Sequence, residues 1–144
     1  MNDVLIRPMT IFDHGAAMEL WTQTSGIGLS RADQPEAMDL YLQRNPGLSH
    51  CAWADTRLVG TVLAGHDGRR GYLHHLCVHA EFRRRRIGQQ LVNAALQALA
   101  QAGLDKAHAF LFTDNHQGRQ FWDSIGWTWR TDIGVVSRST GETL

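Results

Sequence analysis

One junction restricts what this chain can fold into more than any other stretch. The apolar run "GYLHHLCVH" (71–79) passes through "AEFRRRR" (80–86) directly into "IGQQLVNAALQALAQAG" (87–103). The first segment reads as a strand. The last keeps Ile87, Leu91, Ala95, Ala98 and Ala102 on one side at helical spacing and stops at Gly103, a natural C-cap. A strand that enters a helix through a short turn belongs to a layered domain of helices packed on a sheet. The turn is also an anion trap, because the first N–H groups of a helix lack intrahelical partners and the helix dipole is positive there. A phosphate docked at such a point collects several hydrogen bonds, Gly88 allows close approach, and Arg83, Arg84, Arg85 and Arg86 add attraction around it.

Charge alone leaves rival explanations of the arginines: a solvated patch, a nucleic-acid contact, a membrane surface or a compact di- or polyphosphate. Fourteen Lys and Arg balance fourteen Asp and Glu, so the whole molecule has no pull toward polyanions and any anion site is local. No second basic stripe or aromatic ladder accompanies the run, which counts against nucleic acid. The helix that follows carries no basic polar face, which counts against a membrane. No apolar run is long enough to cross a bilayer, and "MNDVLIRPMT" lacks the pattern of a secretion signal. Cys51 and Cys77 form neither a CxxC pair nor a disulfide framework, which fits a reducing compartment and a cytoplasmic location. The eight histidines show no HExxH or Cys/His spacing, so no metal is expected.

The rest of the chain supplies the layers. "VLIRPM" (4–9) predicts a strand, and "TIFDHGAAMELWTQT" a helix with Thr10 as cap and Ala17, Leu20 and Trp21 inward. "DQPEAMDLYLQRN" predicts a helix with Pro35 in its first turn and Met38, Tyr41 and Leu42 inward. "SHCAWADTRLVGTVLAG" predicts two strands around a tight turn at Asp55-Thr56. "KAHAFLF" (106–112) predicts a strand, "NHQGRQFWDSIG" (115–126) a helix capped by Asn115, and "WTWRTD" and "GVVSRS" closing strands. With no linker or repeat, residues 1–144 read as a single α/β (α+β) domain: a mixed, mostly antiparallel sheet of about six to seven strands flanked by about four helices.

"VHAEFRRRRIGQQL", with "DNHQGRQFWDSIGW" about thirty residues later, resembles the GNAT superfamily of acyl-CoA-dependent N-acyltransferases, and the likeness covers roughly residues 4–138. That family's phosphate-loop pattern is Gln/Arg-x-x-Gly-x-Gly/Ala. Arg83 and Gly88 match it, Arg86 replaces the usual first glycine, and Arg84 stands where a further glycine is common. Helical dihedrals at residue 86 are expected, since they would tolerate arginine. The resemblance implies acetyl-CoA as co-substrate, its diphosphate on the amides of residues 84–89, including Ile87, Gly88 and Gln89. Its pantetheine arm would run along the main chain of Leu76, Cys77 and Val78, with Asn115 and Trp122 contributing from the second motif.

Acetyl transfer from a thioester to a primary amine needs a neutral amine, a donor for the developing oxyanion, and a proton for the departing thiolate. Strand alternation places Tyr72, His74, Leu76 and Val78 on one face, with Leu73, His75 and Cys77 on the other. His74 is therefore the candidate base, acting directly or through water. "LHHLCVH" is similar to the serotonin N-acetyltransferase branch, which implies that His74 and Tyr72 stand where two strand-borne histidines serve the amine. His75 and His79 read as structural or surface residues, and Cys77 as core. The family's tyrosine beside the thiol is here Trp122, an indole that cannot deliver a proton. This leaves solvent, Tyr72 or Tyr41 as donor. The expected function is an acetyl-CoA-dependent N-acetyltransferase acting on a small-molecule amine or a peptide or protein amine, with a homodimer compatible with the fold. The alternative is a non-catalytic acyl-CoA-binding module.

Overall fold

The computed structural model describes residues 3–141. It divides into two compact units, Met1–Phe112 and Thr113–Leu144. The first unit holds β1 (Val4–Pro8), α1 (His14–Thr22), α2 (Pro35–Arg44), β2 (His50–Ala54), β3 (Arg57–His66), β4 (Gly71–Val78), α3 (Ile87–Gln101) and β5 (Ala107–Ala109). The second holds α4 (His116–Ser124). The five strands lie in the order β1-β2-β3-β4-β5. The first four are antiparallel neighbours and β5 joins β4 in parallel, so the sheet is mixed.

Local chemistry accounts for most element ends. Pro35 occupies the first turn of α2, where its missing N–H costs nothing. Asp55 supplies the positive φ of 53° that the tight β2–β3 turn needs. α3 ends in Gly103 at φ 94°, with the N–H of Leu104 returning to the carbonyl of Leu99 at 3.0 Å. Its buried stripe is Ile87, Leu91, Val92, Ala95 and Leu99; Ala102, expected on that stripe, is exposed beyond the last turn.

The two faces of the sheet pack differently. On one, Ala17, Leu20 and Trp21 of α1 and Met38 of α2 close over Cys51, Leu58, Leu63 and Cys77. On the other, α3 approaches the strands at two glycines. A Cβ on Gly60 would stand 3.0 Å from Leu91 Cδ1, and one on Gly71 would stand 2.7 Å from Leu99 Cδ1. Side chains there would push the helix off the sheet.

Two strand expectations fail. β5 covers only Ala107–Ala109 of the predicted 106–112, and no strand follows it among the described residues, so the sheet has five strands rather than six or seven. Residues 125–130 do alternate half-buried and exposed as a strand would. Alternation describes a chain lying on a surface, whereas a strand requires a neighbour whose N–H and C=O groups it pairs.

One ion pair anchors β1 to the chain entering α1. Arg7 donates to both carboxylate oxygens of Asp13 at 2.9 and 2.7 Å, and the Thr10 N–H adds a third bond at 2.8 Å. Burial pushes the Asp13 carboxyl up, but Arg7 and the Thr10 amide outweigh it and hold it below the usual carboxylate range. A depressed folded value gives stability that is present above the unfolded value of about 3.9 and lost as the pH falls through the folded one. Asp13→Asn should therefore cost about 1–2 kcal/mol in urea unfolding at pH 7, since Arg7 keeps its access to water. The difference from wild type should shrink as the pH is taken below about 4.

Candidate active site

β4 carries the expected site residues, and its geometry departs from simple alternation. Thr61 pairs with Cys77 and Leu63 with His74, so Val62 alone on β3 faces both His75 and Leu76 on β4. This is a β-bulge, with His75 at φ 48°. Register partners share a face of the sheet. Tyr72, opposite Gly65, and His74, opposite Leu63, therefore share one face as expected, and it is the face that α1 and α2 cover. Past the bulge the order inverts: Cys77, opposite Thr61, lies on that same face, and Val78, opposite Gly60, lies on the α3 face. The expectation that His75 and Cys77 point away from His74 is thus corrected, and so is the pairing of Val78 with His74. The inserted residue changes the parity of everything after it.

The bulge is held from three sides. The Thr61 hydroxyl donates to the His75 carbonyl at 2.8 Å and accepts the indole N–H of Trp21 at 2.8 Å. Trp21 meets the His75 ring edge-on, with centroids 4.8 Å apart. His75 Nε2 lies 2.7 Å from Asp33 Oδ1. No local pattern in the sequence reveals this contact, which spans 42 positions. The Cys77 thiol donates to Thr24 Oγ1 at 3.1 Å, and burial pushes its pKa up, which leaves it a packing residue on this face.

His74 stacks loosely on Phe110, at 6.1 Å between centroids, and Tyr72 on Phe110 at 6.0 Å. Burial first, then the charge of His75, pushes His74 below the ordinary imidazole value, with Asp33 pulling partly the other way. Tyr41, weighed as a proton donor, has a buried hydroxyl with no hydrogen-bond partner among the described residues, and burial raises its pKa far above the phenol range. That makes it a poor donor near neutrality.

Two backbone features adjoin this cluster. β4 pairs with β5 from Gly71 opposite Ala107 to Leu73 opposite Ala109, so from His74 to Val78 the β5-side edge of β4 has no strand neighbour among the described residues. Beyond it, Phe82 is buried as a plug under the loop, with Arg85 stacked on its ring at 4.9 Å, and Arg83 donates to the Val78 carbonyl at 3.4 Å. Arg84 at φ 65° and Arg86 at φ 61° are both left-handed, and no side chain caps the α3 amides at Ile87, Gly88 and Gln89. The helical dihedrals expected at residue 86 are therefore corrected. The chain must reverse sharply to start α3, and arginine adopts the conformation that glycine would accept without cost.

In the second unit, the Asn115 side chain accepts the Gly118 N–H at 3.0 Å and caps α4. Trp122 is the buried residue of that helix, 4.4 Å from the ring of Trp127.

The profile of the acetyltransferase (GNAT) family matches residues 16–127. The chain belongs to this family. An acetyltransferase of Pectobacterium atrosepticum is 32% identical over 105 residues, which cover 72% of this chain and 72% of that one. The PaiA N-acetyltransferase from Thermoplasma acidophilum, solved with coenzyme A, shares the fold at a TM-score of 0.77 and 20% identity, over 92% of this chain and 94% of that one. AAC(6')-Iy, solved with the bisubstrate analogue CoA-S-monomethyl-acetylneamine, gives 0.74 at 18% identity, over 95% and 98%. This GNAT protein is an acetyl-CoA-dependent acyltransferase, with acetyl-CoA as co-substrate. The residues present fit that group: an unpaired strand edge suits an amide-bearing arm, and uncapped helix amides ringed by arginines suit a diphosphate. Among the described residues no His, Cys, Asp or Glu group is suited to a metal, and no helix is long and apolar enough to cross a membrane.

The left-handed arginines give a stability test. Replacing Arg86 by glycine should relieve about 1 kcal/mol of backbone strain, partly offset by the looser unfolded chain. A rise of at most about 2 °C in the melting midpoint is expected, read by differential scanning calorimetry.

Proposed function

We propose that this GNAT protein, with residues 1–144 serving as one acetyltransferase domain, transfers acetyl to a primary amine directly, within a ternary complex. Acetyl-CoA supplies the acyl group already activated as a thioester. The observation that carries the proposal is the coincidence of three features on one strand: the free β4 edge, the bulge, and the α3 amides that follow. The amides of residues 84–89, with Arg83, Arg84, Arg85 and Arg86 around them, hold the diphosphate. Main-chain groups of Leu76, Cys77 and Val78 align the pantetheine arm. The N–H of Leu76 or Val78 donates to the oxygen that gains charge, a role for backbone that needs no particular side chain.

His74 takes the proton that the ammonium form of the acceptor must lose, directly or through one water. A half-buried ring beside a second histidine stays neutral at physiological pH, so its lone pair is available. Tyr72 lies two residues away on the same face and lines the acceptor side. The acceptor class is a small-molecule amine or the amine of a peptide, in line with the acetylneamine analogue bound to AAC(6')-Iy.

A CoA-release assay over a panel of amines and peptides tests this reading. Wild type should release thiol with at least one acceptor, and His74→Ala should lower kcat about a hundredfold while calorimetry shows unchanged acetyl-CoA affinity. The acid limb of kcat/KM should fall below about pH 6.5, because protonating His74 removes the base and its pKa is depressed. Full activity in His74→Ala refutes the assignment.

A further inference from the structure

Beside His74, the surface where β4 meets β5 is built of rings. Tyr72 pairs in register with His108, and their ring centroids lie 5.9 Å apart. Phe110, two residues beyond His108, faces Tyr72 at 6.0 Å with 24° between planes and His74 at 6.1 Å. Two residues further on, Phe112 reaches the turn between α1 and α2, where a Cβ on Gly28 would stand 2.8 Å from its Cζ. Both phenylalanines are 58% exposed, and Leu29 beside Gly28 is 37% exposed. Apolar side chains gathered in water next to a reactive group mark a ligand surface, because covering them is favourable.

The same surface is poor in charge. The charges that act on His74 are those of His75 and Asp33. The Asp33 side chain is 7% exposed, and its oxygens are taken by His75 and the Ser30 N–H. From α2, Tyr41 Oη reaches over Gly65, the register partner of Tyr72, and would stand 2.8 Å from a Cβ there. Asp39 precedes Tyr41 by two positions, about 200° around the helix, so it starts from the other side of α2.

We infer that the acceptor is a monoamine on an aromatic body, and that Phe110 is the residue that selects it. The inference rests on the acetyltransferase reading of this face and goes past it in naming the class. The amine is directed to His74, and the flat body lies against Phe110 and Tyr72, offset or edge-on to their rings. Phe110 suits this role because it faces both the ring beside the reacting nitrogen and the ring two residues upstream of it. An aminoglycoside or a polyamine brings several ammonium groups to the same surface. One of them can be faced by a ring. The others would shed water without carboxylates to receive them, which is costly.

The test compares thiol release with 2-phenylethylamine, butylamine, spermidine, neamine and a short peptide. The kcat/KM for 2-phenylethylamine should exceed each of the others by at least about tenfold. Phe110→Ala should raise the KM for 2-phenylethylamine about tenfold, with a smaller change in kcat, and remove most of its advantage over butylamine. Phe110→Tyr keeps the ring and should keep the advantage. Phe12→Ala, which removes a 94% exposed ring from the turn before α1, should behave as wild type. Ligand-observed NMR adds a readout besides turnover: the ring protons of 2-phenylethylamine should receive saturation from wild type and far less from Phe110→Ala. A preference for spermidine, neamine or the peptide overturns this inference alone, as do equal effects of Phe110→Ala on 2-phenylethylamine and butylamine. Acetyl-CoA binding with neither turnover nor saturation transfer for the aromatic amine overturns it as well. A wild type that neither binds acetyl-CoA nor releases thiol with any amine overturns the acetyltransferase reading together with it.

Discussion

Opposite Val62 of β3, β4 places two residues where a regular ladder has one. That surplus determines most of what this face of the molecule can do. It puts His75 at a positive φ and turns its ring toward Asp33 and Trp21. It inverts Cys77 and Val78 relative to the start of the strand. It also interrupts the β3 ladder along the stretch where β4 has no strand partner on its β5 side among the described residues. A single extra residue thus produces the histidine cluster, and the early end of β5 at Ala109 leaves an open edge beside it.

Such a feature has to be held in place. His75, Arg84 and Arg86 all have left-handed backbones, each worth about 1–3 kcal/mol of strain in a non-glycine residue. The compensation is visible around each. The buried Trp21–Thr61–His75 chain of hydrogen bonds clamps the bulge, and the Phe82 plug under Arg85 pins the loop. The close seating of α3 on Gly60 and Gly71 fixes where the loop must end. Strain concentrated between β4 and α3, with well-packed layers on either side, is the arrangement expected where a rigid scaffold presents backbone amides to a ligand.

Much of the architecture was legible because it depends on neighbours in sequence. Pro35, Asn115 and Gly103 mark helix ends through chemistry confined to one turn, and all three act as their types suggest. The apolar stripe of α3 was readable as far as Leu91 and Ala95, then missed at Ala102, because the residue after the last turn is placed by the C-cap rather than by the helical period. The closing strands were misread for a different reason: "WTWRTD" has the right alternation, and nothing within it tells whether a partner strand will be present.

The helices, the first four strands, the basic turn into α3, the family likeness, and His74 with Tyr72 on one face of β4 each follow from residues within a few positions of one another. Contacts between distant elements bring His75 to that face, supply Asp33 as its partner from 42 positions away, and set Arg84 and Arg86 in left-handed backbones. The physical reason is that strand parity survives only while the ladder is regular. A bulge is set by how β3, α1 and α3 compete for the same strand, and no local pattern in β4 records the outcome of that competition.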